Sequence, residues 1–118
     1  MDIVAFKKQV RETVIAELIS YMQEDEDCGY GKRHITACEK LLRKYLDKLG
    51  HMKSVSDEAV MQEVKKVVLS LNRLNEKTEY SLIETDARES ICEIIQNSAV
   101  ARGLKDVPDD VTEEWREW

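Results

Sequence analysis

Two histidines, three cysteines and a row of carboxylates hold whatever chemistry this sequence could perform. Cys28, His34 and Cys38 form the best local ligand set: His34 and Cys38 lie four residues apart on one helical face, and a flexible loop could bring Cys28 to them. Three such ligands would suit zinc with an open fourth position. Their spacing matches no standard zinc module, and Cys38 falls on an apolar stripe, where a free thiol behaves as a small hydrophobe. Neither His34 nor His51 belongs to a His-Glu-x-x-His motif. Gly31 and Lys48, three residues before them, also exclude the Glu-x-x-His element of di-iron bundles. The carboxylates Glu84, Asp86, Glu89 and Glu93 could supply a general acid and base. Such rows are routine on the helices of acidic proteins, however, and acids in a first turn complement the helix dipole, so a solvated face is the preferred reading. Gly29-Tyr30-Gly31 lacks the preceding strand and the Lys-Ser/Thr of a phosphate loop. Cys92, near Ile91 and Ile95, reads as core; Cys28, placed in solvent beside acidic residues, reads as a poor nucleophile. No catalytic residue and no cofactor are expected.

The elements that must position these residues follow a helical period. In the first segment Ile3, Val10, Val14, Leu18 and Met22 recur at spacings of seven and four, flanked by Phe6, Ile15 and Ile19, with Asp2 as N-cap. Glu24 to Gly31, with four like charges and two glycines, predicts a solvated loop. A second helix carries Ile35, Cys38, Leu42, Tyr45, Leu46 and Leu49 and is expected to end at Gly50 in a left-handed cap. Ser54 or Ser56 offers an N-cap for a third, with Val60, Val64, Val67, Val68, Leu71 and Leu74 at three and four, fading near Asn75-Glu76-Lys77. A fourth starts at Ser81, in a capping box with Glu84, or at Asp86 with Glu89. Its stripe runs through Ile83, Ala87, Ile91, Ile94 and Ile95. Ser98 interrupts that face, leaving Ala99 and Val100 to continue it, and Gly103 with Leu104 makes a Schellman end. Four amphipathic helices with short connections predict an all-α, up-down-up-down bundle over residues 1–104, followed by a C-terminal tail, 105–118, packed on it.

Of 118 residues, 42% are hydrophobic and 36% charged, with 18 Lys+Arg against 24 Asp+Glu for a net charge of −6; the mixed signs and recurrent Leu, Ile and Val argue against disorder. No apolar run approaches a spanning helix, and the first residues lack the order of a signal peptide, so a cytoplasmic protein without a membrane partner is expected. The three cysteines, without framework spacing, fit free thiols in a reducing compartment.

Charge is unevenly spread. Residues 31–53 hold seven cations against two acids, a net +5, and residues 103–118 hold two cations against six acids, a net −4. Lys40, Lys44 and Lys48, with Arg43 beside them, form a ridge opposite the apolar stripe of the second helix. Such a ridge could touch phosphate, but the acidic balance and the lack of a helix-turn-helix signature disfavour nucleic acid. It could instead attract the acidic tail or the fourth-helix carboxylates, within the fold or across a dimer. The tail carries both tryptophans, Trp115 and Trp118, among Asp109, Asp110, Glu113 and Glu114. The two rings either fold back on the bundle's own groove, the plainer reading, or dock onto a protein partner or a second copy.

Leu71-Asn72-Arg73-Leu74-Asn75-Glu76, Leu82-Ile83-Glu84-Thr85-Asp86-Ala87-Arg88-Glu89 and the ending Thr112-Glu113-Glu114-Trp115-Arg116-Glu117-Trp118 together resemble a group of small uncharacterised bacterial helical proteins. The resemblance covers roughly the C-terminal half; it implies a bacterial source and carries over no functional residue. It draws attention to Asn72, Asn75, Thr85, Asp86, Arg88 and Glu89, with the tail, as one polar surface. The expected function is a non-enzymatic protein–protein interaction module of adaptor or immunity-protein type, with Trp115, Trp118, Asp109, Asp110, Glu113 and Glu114 of the tail as its partner-binding residues and a basic surface as its partner. The rivals are a metal-dependent enzyme or sensor using the carboxylates or the Cys/His set, and a weak nucleic-acid binder acting through the basic second helix.

Overall fold

A computed structural model describes residues 1–118, and every regular element in it is a helix. The first rod is continuous but changes pitch, from α1 (Ile3–Gln9) through a π-helical stretch (Val10–Ile15) to α2 (Ala16–Glu24). Asp2 caps it as expected, its carboxylate accepting the Ala5 N–H at 3.0 Å. No proline or glycine marks the change of pitch. Through the change the apolar stripe stays on the core: Val10 and Val14 are fully buried and Leu18 is 2% exposed. Ile19, expected to widen the stripe, is instead exposed.

The loop that follows is only partly solvated, because Cys28 and Tyr30 turn inward. The Tyr30 hydroxyl donates to the Leu18 carbonyl at 2.8 Å. At the start of α3 (Lys32–Gly50), the Gly31 N–H donates to Nδ1 of His34 at 2.9 Å. Gly50 is the last helical residue and not a left-handed cap; among glycines only Gly29 and Gly103 have positive φ. A Cβ at Gly50 would overlap the Ile3 side chain, so glycine serves the close approach of two rods there.

Ser56 caps α4 (Asp57–Lys77), its hydroxyl accepting the Ala59 N–H at 3.1 Å. The other end of α4 closes in a Schellman motif without glycine: Tyr80 N donates to Asn75 O at 2.8 Å, Glu79 N donates to Glu76 O at 2.9 Å, and Glu79 takes φ 53°. Next, α5 (Thr85–Arg102) starts at neither Ser81 nor Asp86; its N-cap is Glu84, which makes no side-chain cap. Ser81 is used inside the connection, donating to the Thr78 carbonyl, while Thr78 Oγ1 accepts the Leu82 N–H at 3.1 Å. Ile83, expected on the helix, is buried in that connection, and the Asn75 carboxamide oxygen accepts its N–H at 2.9 Å. Ser98 lies on the core face, donating to Ile95 O at 3.1 Å and paired with the Tyr45 hydroxyl at 2.9 Å, whereas Val100 is exposed. The predicted Schellman end is present: Gly103 has φ 117°, Leu104 N donates to Ala99 O at 3.1 Å, and Leu104 is buried.

Cross-links fix the topology as up-down-up-down. Lys7, early in the first rod, pairs with Asp47, late in α3, at 2.6 Å. Arg102 at the end of α5 reaches the end of α3, donating to the Leu49 carbonyl at 2.6 Å, so α3 and α5 run the same way. In cross-section the first rod touches α3 and α5 but not α4, while α3 and α5 touch each other. The bundle is therefore a rhomb with α3 and α5 on its short diagonal, and their solvent faces look away from one another. One cluster of buried hydrophobic residues runs through it and includes Val111 of the tail. No helix is long and apolar enough to cross a membrane.

Candidate functional surfaces

The tail is tied down at three places by side chains of α4 and α5. Asp57, at the start of α4, accepts the Lys105 and Asp106 N–H groups, each at 2.9 Å. Gln96 of α5 donates to the Pro108 carbonyl and accepts the Val111 N–H, both at 3.0 Å. Asn72 of α4 donates to the Trp115 carbonyl at 2.7 Å and accepts the Glu117 N–H at 3.1 Å. Each carboxamide thus satisfies one donor and one acceptor of an irregular backbone that no helix could pair.

Within the tail, Asp110 accepts from the Thr112 hydroxyl at 2.6 Å and its N–H at 2.9 Å, and from Arg116 at 2.9 Å. Arg116 also donates to the Trp118 carbonyl at 2.7 Å and lies 5.5 Å from the centroid of its ring, within cation–π range. Partial burial pushes the Asp110 carboxyl up, but the Thr112 hydrogen bonds and Arg116 outweigh it and hold the group below its ordinary range. The backbone N–H groups of Lys105 and Asp106 do the same for Asp57. Of the tail residues singled out for a partner, Trp115, Trp118 and Asp110 are half-buried against their own bundle, and Asp109, Glu113 and Glu114 face solvent.

The proposed polar surface divides. Asn72 and Asn75 are buried rather than displayed, because their amides hold the tail and the α4–α5 connection. Thr85, Asp86 and Glu89 are exposed at the start of α5, with Arg88 half-buried beside them. The Cys/His set does not assemble: the Cys28 thiol donates to the Tyr30 carbonyl at 3.2 Å, His34 caps Gly31, and Cys38 is fully buried, its thiol pushed up to about 12 by burial. No group of three or more His, Cys, Asp or Glu residues comes together to hold a metal ion. Cys28 is buried, contrary to its expected exposure, and the half-buried Cys92 lies 3.6 Å from the Thr112 hydroxyl.

Three features had no signal in the sequence. Arg102 donates to Met52 O at 2.8 Å as well as to Leu49, which closes the carbonyl end of α3. Gln96 anchors the tail. The third is a cleft between α2 and the start of α5, lined by Glu17, Leu18, Tyr21, Leu82, Glu84 and Asp86. There one Glu17 oxygen accepts from Ser90 at 2.8 Å and the other is buried without a partner.

The basic ridge is different from all of these. Lys40, Lys44 and Lys48 are exposed along α3, Arg43 is half-buried, and none of the four forms an ion pair. They border an open depression that includes His51 and Met52 of the following turn and Glu63 of α4. The two acids that line the depression are already engaged, Asp47 by Lys7 and Glu63 by Lys66 at 3.3 Å. Compared with known proteins, the chain matches no family model, no curated sequence and no solved structure.

Proposed function

We propose that the chain is a non-enzymatic helical interaction module of adaptor type, and that the α3 ridge is the face that meets an acidic protein partner. The observation that carries this reading is the set of four ridge cations, Lys40, Arg43, Lys44 and Lys48, displayed over about two helical turns without a single intramolecular partner. Like charges at i and i+4 repel one another, so the row costs the isolated domain a little and gains when an acidic surface covers it. A protein is favoured over nucleic acid because the rest of this acidic chain repels a polyanion that extends past the ridge. The three free cysteines and the resemblance to bacterial proteins favour a reducing bacterial cytoplasm.

The test is crosslinking of the purified chain in extracts of its source, identification of the captured protein, and direct titration of that protein against the wild type and a Lys40→Glu/Lys44→Glu/Lys48→Glu variant. Loss of binding in the variant at low salt, with its fold intact by circular dichroism, is the expected result. Binding that ignores the reversal removes the ridge from the interface. Titration with duplex DNA at the same salt supplies the other arm, and tight ridge-dependent DNA binding would overturn the protein reading.

A further inference from the structure

A second unpaired row of charges lies on the opposite face of the molecule, and its dimensions match the first. Asp86, Glu89 and Glu93 are all exposed on α5, and none accepts a hydrogen bond or forms an ion pair within the chain. From Asp86 to Glu93 the row extends about 10 Å along the helix axis, and Lys40 to Lys48 extends about 12 Å along α3. Both rows lie opposite the buried stripe of their helix, Ile91, Ile94 and Ile95 on α5 and Leu42, Tyr45 and Leu49 on α3. Since α3 and α5 occupy the short diagonal of the rhomb, the cationic row points out on one side and the anionic row on the other.

We infer that one partner of the α3 ridge is a second copy of this chain, whose α5 row Asp86, Glu89 and Glu93 docks against Lys40, Lys44 and Lys48. The inference rests on reading α3 as the recognition face and names the acidic surface it meets. Two copies with a net charge of −6 repel at long range, so attraction requires an orientation that brings the ridge to an acidic surface, which the α5 row supplies. Because the two rows lie on opposite faces, one contact leaves a free ridge at one end and a free acidic row at the other. The contact is heterologous and does not close on itself, so association continues beyond a dimer.

Sedimentation equilibrium of the full chain tests this. At an ionic strength of about 0.01 M, where the screening length is roughly 30 Å, the average mass should rise with concentration past twice the chain mass; at about 1 M, with screening over roughly 3 Å, it should fall to the monomer. Lys40→Glu/Lys44→Glu/Lys48→Glu has two acidic faces and Glu89→Lys/Glu93→Lys has two basic ones; each alone should stay monomeric, and an equal mixture should associate again. A wild type that stays monomeric at low salt, association that survives either reversal or high salt, or a mixture that stays monomeric overturns the inference. Should a reversed chain fail to fold by circular dichroism, the Lys→Gln and Glu→Gln versions replace it, and undiminished self-association in either counts against the docking. A wild type that never self-associates while the ridge reversal still abolishes binding of a captured acidic partner removes the second copy and leaves the α3 reading in place.

Discussion

The tail and the α3 ridge are both densely charged, yet the tail holds an ion pair inside the fold, Asp110 with Arg116, and the ridge holds none. On the tail, Asp110 and Arg116 answer one another, Thr112 completes the carboxylate's shell, and Asn72, Gln96 and Asp57 take up the backbone. On the ridge, four cations have no partner at all. Charge satisfied inside a molecule fixes shape; charge left open to solvent is available to something else. The tryptophans, the most conspicuous residues of the sequence, pack against their own bundle, and the plain lysines stand open to solvent.

Removal of residues 105–118 strikes this contrast hardest. It uncovers the site of Val111, strips the cover that Trp115 and Trp118 give the core, and leaves Asn72 without partners. Full burial of one large apolar side chain contributes about 1.5–3 kcal/mol, so the deletion should cost about 4 kcal/mol or more of a typical 5–15. Urea denaturation followed by circular dichroism measures it. A truncated chain as stable as the whole one would show that the tail is decoration, and the contrast with the ridge would collapse.

A single amide gives a finer probe. Asn72→Ala leaves the Trp115 carbonyl and the Glu117 N–H without partners at a half-buried position and should cost about 2 kcal/mol. The tryptophan emission should move to the red as the last residues loosen. If stability falls without any change in emission, Asn72 acts within α4 and not through the tail.

Asp110 adds a pH dependence. Its folded carboxyl lies below the ordinary 3.8, so its contribution is fully present above that value and is lost as pH falls through the folded value. Asp57 is shifted in the same direction and acts in the same window. Asp110→Asn should therefore lower stability at neutral pH and flatten its decline below about pH 4. Thermal melts of both proteins from pH 7 to 2 would show it; parallel curves would mean that Arg116 and Thr112 do not hold this carboxylate in solution.

How much of this was legible beforehand depended on whether the determinant was local. Asp2, Ser56 and the Gly103-Leu104 end act within a few residues of themselves, so their caps could be read directly. The helical stripes could be read because burial repeats with the helical period. The end of α4 could not, because Glu79 takes a left-handed conformation usually left to glycine and Asn75 and Thr78 organise the chain beyond it. Gly50 departs from its expected role for a related reason: the partner that leaves no room for a Cβ is Ile3, far away in sequence. Asn72, Gln96 and Arg102 were invisible as anchors, since nothing near a carboxamide or a guanidinium tells which distant carbonyl it will meet. The ridge was legible because it needs no partner within the chain.

That independence leads to the smallest effect, and the only one of opposite sign. Lys44 has Lys40 and Lys48 at i−4 and i+4, and each like-charged pair on a helix surface destabilises by about 0.2–0.5 kcal/mol. Alanine has the highest helix propensity, and no carboxylate loses a partner when this ammonium is removed. Lys44→Ala should therefore stabilise the domain by about 0.5 kcal/mol at low ionic strength, with the gain shrinking as salt screens the repulsion. The same substitution should weaken whatever the ridge binds, so stability and recognition move in opposite directions at this residue. At the tail, by contrast, both the deletion and Asn72→Ala are expected to cost stability. Parallel urea titrations of Lys44→Ala at low and high salt decide the sign, and a destabilised variant would mean that Lys44 has work inside the fold and that the ridge, like the tail, is already satisfied.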